Sequence, residues 1–241
     1  MSRFYIDKSN IIDNQIIIKG KDFNHIKNVL RMKCGDKIEI CNSDKTVYYA
    51  HITKIDSDSI TAITDNIGAN ETEPLIYLTI MQCIPKGDKL STVIQKCVEL
   101  GVSEIVPVLS VRCVSRPENK KTVRWNSISE EAAKQCKRGI IPLVTDIIEF
   151  NRAVDRMSDY DIKLICYESE HTVSLHDVDL SNIINKKIAV IIGPEGGFEY
   201  SEKEYAENKG FISVSLGKRI LRTETVAPVV AGIIMYCANE I

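Results

Sequence analysis

No stretch of the 241-residue chain approaches the roughly 20 consecutive apolar residues that span a bilayer, and Met1 to Asp7 lacks the apolar run of a secretory leader. A cytoplasmic protein is expected. The eight cysteines, at 34, 41, 83, 97, 113, 136, 166 and 237, form no C-x-x-C pair, and the four histidines, His25, His51, His171 and His176, do not cluster. No metal site is expected, and the cysteines read as reduced thiols, mostly small buried hydrophobes. An excess of charge is also missing. With a net charge of only -2 there is no global basic field, so any nucleic acid must be held by local basic patches. Neither G-x-G-x-x-G nor G-x-x-x-x-G-K-[ST] occurs, which removes support for binding dinucleotide or ATP phosphates.

What is present is ordinary globular composition, 44% hydrophobic and 27% charged, in a chain long enough for a small domain followed by a medium one. The first part reads as short strands, Gln15 to Lys19, Lys37 to Cys41, Val47 to Ile55 and Ser59 to Thr64. They are separated by turns at Gly35-Asp36, Asn42-Ser43-Asp44 and Asp56-Ser57-Asp58, the pattern of a small barrel. One helix interrupts it from Phe23 to Leu30, with Phe23, Ile26, Val29 and Leu30 at helical spacing. The polar stretch Asn66 to Pro74 reads as a linker, which sets domains of 1–70 and 71–241.

Beyond it strands alternate with helices, the signature of an α/β domain with a largely parallel sheet. The expected strands are Leu75 to Ile84, Glu104 to Leu109, Lys163 to Tyr167, Lys187 to Ile192 and Phe211 to Leu216. Lys89 to Leu100 is a helix with Leu90, Val93, Ile94, Cys97 and Val98 on one stripe, and Gly101 caps it. Val123 to Arg138 is a second helix, in which Trp125 is more often core than a stacking platform. A third begins at a Ser201/Glu204 capping box, and Val226 to Ala238 is a terminal apolar helix with Pro228 in its first turn.

Two strand ends carry the chemistry. Ile188 to Ile192 runs into Gly193-Pro194-Glu195-Gly196-Gly197-Phe198, a glycine-rich loop where α/β proteins bind ligands. Glu195 repels phosphate but tolerates a sulfonium cation or accepts from a ribose or amine. A tight turn without ligand is the alternative. Ile212 to Leu216 runs into Gly217-Lys218-Arg219-Ile220-Leu221-Arg222-Thr223-Glu224-Thr225, where Ile220 and Leu221 between charges suit a lid over a flat ring, and Thr223 or Thr225 suits a helix cap.

Together, Ile192 to Phe198 and Leu216 to Thr225 closely resemble the SPOUT-class family that methylates N3 of a uridine in 16S ribosomal RNA. Arg112-Cys113-Val114 with Arg116, Arg124-Trp125, and Glu131 to Arg138 with Pro142 are similar to that family's middle signatures. Arg3-Phe4, His25 to Arg31 and Gly35-Asp36 are similar to its N-terminal barrel, so the likeness covers nearly the whole chain. Lys137 departs from it where a small residue, often glycine, is usual, and Val226 where alanine is usual.

The resemblance implies a PUA-like RNA-binding β-barrel followed by a SPOUT-type parallel-sheet domain tied in a trefoil knot, S-adenosylmethionine as cofactor, 16S ribosomal RNA or the small ribosomal subunit as substrate, and a homodimer. By the same carry-over the cofactor is expected at Tyr167, Glu168, Ile192, Gly193, Pro194, Glu195, Gly196, Gly197, Leu216, Gly217, Ile220, Leu221 and Thr225. Loss of the N3 proton spreads charge onto O2 and O4 of the uracil, so a cation is wanted there: Arg222 first, then Arg138, with Glu224 or solvent as proton acceptor. Glu131, Gln135 and Arg138 at i, i+4 and i+7 share a helix face, which is equally a solvated face with an ion pair. RNA is expected to meet Arg3, Lys27, Arg31 and Lys33 in the barrel, and Arg112, Arg116, Lys120, Lys121 and Arg124 beyond it. Two other readings stay open, a methyltransferase of another RNA and a non-catalytic RNA-binding assembly factor.

Overall fold

The computed structural model describes residues 1–42, 46–118 and 120–241, so Ser43 and Asp44 of one expected turn lie outside the described residues. The chain forms two compact units, Met1–Glu73 with Ala133–Ile141, and Pro74–Ala132 with Pro142–Ile241. In the first, β1 (Ser2–Tyr5), β2 (Ile11–Ile12), β3 (Gln15–Lys19), β4 (Lys37–Cys41), β5 (Thr46–Ile55) and β6 (Ser59–Ala69) make one sheet in the order β1-β4-β5-β6-β3-β2. All pairs are antiparallel except β1 with β4. The isoleucines Ile16, Ile18, Ile38, Ile40, Ile52 and Ile60 are fully buried, the inward half of an alternating pattern on a pleated sheet. β6 is longer than expected: it pairs with β5 out to Ala69, so the first four residues of the anticipated linker are strand.

The helical interruption begins earlier and ends differently. α1 (Gly20–Asn24) passes into a π-helical turn, His25–Val29. Phe23 and Ile26 are buried, but Val29 is 68% and Leu30 39% exposed. The wider turn adds residues per revolution, so the spacing counted for a regular helix no longer returns Val29 and Leu30 to the inner face.

The second unit is built on β7 (Tyr77–Cys83), α2 (Lys89–Glu99), β8 (Glu104–Leu109), α3 (Lys120–Gln135) up to Ala132, β9 (Leu143–Val144), β10 (Ile148–Glu149), α4 (Phe150–Arg156), β11 (Ile162–Cys166), β12 (Lys187–Ile192), α5 (Tyr200–Asn208), β13 (Ile212–Val214) and α6 (Thr223–Cys237). Its strands run β10-β8-β7-β12-β11-β13, with β9 also on β8, and every pair is parallel. A parallel sheet is covered on both faces, which is why Ile188 to Ile192 is a continuous buried apolar run rather than an alternating one. The stripe on α2 is buried as expected, and so is Trp125.

Several boundaries move. The box that caps α5 is Glu199 with Glu202, two residues before the expected Ser201 and Glu204. α6 begins at Thr223, so Pro228 sits inside the helix rather than in its first turn, where its ring removes an N–H from the ladder. Arg222 is the N-cap residue, with no side-chain cap from Thr223 or Thr225. β9, β10 and α4 are too short or too weakly patterned to have been anticipated. Among the described residues no helix is long and apolar enough to cross a membrane, and no group of His, Cys, Asp or Glu is placed to hold a metal.

α3 ends at Gln135, and Lys137 follows at φ +60°. That left-handed conformation explains why a glycine serves well here, since a side chain at such a φ costs about 1 kcal/mol or more. The turn also takes Arg138 off the helix face shared by Glu131 and Gln135. Arg138 instead pairs in the interior with Glu73 at 2.7 Å, and Glu73 accepts from the Gly139 and Ile140 amides as well. Nearby, the buried Arg3 pairs with Glu39 at 3.0 Å and donates to Asn70 and to the Lys137 carbonyl, while the Tyr5 hydroxyl donates to the Arg138 carbonyl. Lys134 reaches Asp22 at 2.9 Å. Ala133–Ile141 is thus fastened to the first unit by buried charges. Replacing Glu73 by Ala removes the Glu73–Arg138 ion pair and the acceptor of two amides, and is expected to cost about 3–5 kcal/mol in denaturant unfolding of the intact protein.

Candidate active site

Because the strands of the second sheet are parallel, the segments leaving the carboxyl ends of β11, β12 and β13 emerge on one edge. They enclose a cavity of about 420 Å³ lined by all the expected cofactor residues except Gly196 and Thr225. Its size lies within the roughly 300–1,000 Å³ usual for small-molecule sites. Ile192, Phe198, Val214, Leu216 and Leu221 give it apolar walls, and Ile220 stands at the rim, 84% exposed. Val226, the departure from alanine, is part of the wall.

The glycines differ in what they do. Gly197 has φ +66°, a conformation that disfavours any side chain, and a Cβ there would lie 2.6 Å from Oε1 of the exposed Glu168, which would have to swing aside. Gly196 needs no positive φ, and a Cβ on it would meet Arg112 no closer than 3.4 Å. Its carbonyl accepts from Arg112 Nη1 at 2.8 Å, while Arg112 Nε donates to Glu199. The back of the glycine loop is therefore braced by Arg112, whose basicity is raised by the hydrogen bond to Glu199.

A charge cluster occupies one side. Lys89 at the start of α2 lies 2.9 Å from Glu195 and 3.3 Å from Glu224, and Glu195 also accepts from the Lys86 amide. The hydrogen bond to Glu195 holds Lys89 above the usual lysine value. Burial pushes Glu195 up, but its bonds from Lys89 and Lys86 outweigh this and leave it lowered. Arg222 lines the cavity with its side chain 83% exposed, 4.0 Å from Glu224.

The site thus brings together Arg222, Glu224 and the three loops, but not Arg138, which belongs to the first unit. Thr225 is exposed and outside the cavity. Among the cations expected to meet RNA, Arg3 is internal, its guanidinium engaged by Glu39, so it is no phosphate contact. Lys27 is partly buried over the Phe23 ring and donates to the Asp56 carbonyl. Arg31, Lys33, Arg116 and Lys121 are exposed; the exposed Lys120 lies 3.5 Å from Glu118, and Arg124 pairs with Asp88. Lys89 and Thr223 were missed. A lysine at a helix N-terminus opposes the helix dipole, and that unfavourable position was the signal that carboxylates hold it.

A family model described as an RNA methyltransferase domain matches residues 71–235, and an RNA methyltransferase PUA domain matches residues 18–65. Ribosomal RNA small subunit methyltransferase E of Bacillus subtilis (strain 168) is 32% identical over 96% of this chain and 94% of its own length. The protein of that name from Mesomycoplasma hyopneumoniae (strain 232) is 33% identical over 94% of this chain and 96% of its own. A crystal structure of ribosomal RNA small subunit methyltransferase E from Neisseria gonorrhoeae bound to S-adenosyl methionine superposes with a TM-score of 0.89 at 31% identity, covering 98% of this chain and 97% of that one.

The two central glycines separate in a simple test. Gly197→Ala is expected to lose about 1–3 kcal/mol of stability in urea unfolding from its backbone conformation alone, whereas Gly196→Ala is expected to stay within about 0.5 kcal/mol of the parent.

Proposed function

This chain belongs to the RNA methyltransferase family of ribosomal RNA small subunit methyltransferase E, and we propose that it transfers the methyl group of S-adenosylmethionine to N3 of a uridine in 16S ribosomal RNA. The observation that carries the reading is the cavity closed by three strand-end loops. It fits the cofactor on its own terms: apolar walls suit an adenine, and Gly193, Gly197 and Gly217 in the lining let a ligand approach the backbone closely. Tyr167 and Glu168, the Gly193 loop and the Leu216 to Leu221 loop would hold it.

The cofactor supplies a methyl group already activated on sulfonium. What remains for the protein is to align that group with N3, exclude water and manage one proton. Arg222, exposed at the rim, is assigned to the uracil, where it would stabilise charge developing on O2 and O4. Glu224 is assigned the N3 proton, and Lys89 keeps a positive charge beside it. Arg138, locked to Glu73, is assigned to holding its own unit together. Residues 1–70 are read as the RNA-binding barrel and 71–241 as the methyltransferase domain with the family's knot, acting in the cytoplasm on 16S RNA or the small subunit. Lys27, Arg31, Arg112, Arg116 and Arg124 are assigned to phosphate contacts that set affinity and its salt dependence.

Titration calorimetry with S-adenosylmethionine tests the cofactor, and mass mapping of methylated small-subunit RNA tests the base. Saturable binding and a new methyl on uridine are expected, with Arg222→Ala lowering turnover at least ten-fold while cofactor affinity holds. A folded protein that binds no cofactor sinks the reading.

A homodimer joined through α6 is part of the same proposal. Val229, Ile233 and Tyr236 are exposed at i, i+4 and i+7, an apolar strip at helical spacing. Sedimentation equilibrium is expected to give a dimer for the parent and a monomer for Ile233→Glu; a monomeric parent would overturn it.

A further inference from the structure

β7 is buried from Leu78 to Cys83, yet it carries Gln82, 0% exposed, at its carboxyl end. An amide in such a place is costly unless its donors and acceptor are used. Gln82 Nε2 donates to the Cys83 carbonyl at 3.0 Å and to Thr223 Oγ1 at 2.9 Å. Turning the amide over would set its oxygen against the Cys83 carbonyl, acceptor to acceptor, so this orientation is the one the surroundings select. Oε1 is left without a partner.

The consequence falls on Thr223. A hydroxyl has one proton to give. With its oxygen accepting from Gln82, Thr223 gives that proton to the Gly193 carbonyl, at 2.6 Å. The next residue is Pro194, so the Gly193–Pro194 peptide has no N–H, and this carbonyl is its whole hydrogen-bonding capacity. Held by Thr223, it is a satisfied group in the cavity wall. Released, it would be an acceptor free to swing. Thr223 also directly follows Arg222, so the chain Gln82 to Thr223 to Gly193 ties the glycine loop to the segment that presents Arg222.

We propose that Gln82, which does not line the cavity, is a positioning residue: by setting the direction of the Thr223 to Gly193 hydrogen bond it holds the glycine loop and Arg222 in the relative placement needed for cofactor binding. This rests on the cavity being an S-adenosylmethionine site. Its bond to Thr223 reaches one of the segments of the site, and the bond from Thr223 to the Gly193 carbonyl carries on to the other.

The test is a double-mutant cycle read by calorimetry with S-adenosylmethionine, beside thermal unfolding of each full-length variant. Gln82→Met keeps the shape and removes the donor; Thr223→Val removes the hydroxyl; Thr223→Ser keeps it. Gln82→Met and Thr223→Val are each expected to weaken binding about ten-fold, the fold-change of one lost buried hydrogen bond. The double variant should bind no worse than the weaker single one, and Thr223→Ser should bind like the parent. Parent-like affinity in Gln82→Met despite a lower melting temperature, or losses that multiply in the double variant, would overturn the inference alone. A parent that binds no cofactor would overturn the reading beneath it. Should Gln82→Met not fold, Thr223→Val against Thr223→Ser carries the test, since equal affinities there contradict a hydroxyl that must donate to Gly193.

Discussion

The site depends on one constraint, the common direction of the strands in the second sheet. Parallel strands cannot be joined by tight turns, so each is followed by a crossover, and every carboxyl end points to the same edge. β11, β12 and β13 are adjacent in space although long segments separate them in sequence, and their loops therefore meet. No loop forms the cavity alone. The glycine loop contributes a surface without side chains, the Leu216 to Leu221 segment contributes apolar walls and rim, and Glu168 fills the space that Gly197 leaves open.

Most of this second sheet was legible because its strands are buried on both faces and read as apolar runs bounded by turn residues. Lys187 to Ile192 and Glu104 to Leu109 begin and end where the pattern says they should. The capping register of α5 and the start of α6 were not, since Ser, Thr and Glu are abundant at both places and several registers satisfy the same rule. The π-helical turn was invisible for a different reason. A pattern counted in steps of 3.6 has no means of registering a local change of pitch.

The same limit applied to the arginines. Charge is legible in sequence, but its use is not, because a guanidinium in solvent and one bound to a buried carboxylate are written identically. Arg3 and Arg138 were expected at RNA and at the uracil, and both are engaged in the interior, by Glu39 and Glu73. Their partners lie 36 and 65 residues away, beyond any local pattern. The pocket residues Lys89 and Thr223 and the buried Gln82 escaped for a related reason: each is informative only once its neighbours in space are known.

The first unit is discontinuous, and that gives its assembly an order. A chain made from its N-terminus has all six strands of the unit's sheet by residue 69, but the segment Ala133–Ile141 is still some sixty residues away. Until it is made, Glu73 has no Arg138 to neutralise, and the Tyr5 hydroxyl lacks the carbonyl it will bond. The barrel can collapse on its isoleucines, but its polar closure waits for α3. The last step in completing the earliest-made unit is therefore a long-range one, and on the ribosome that unit is finished only after much of its successor has been translated.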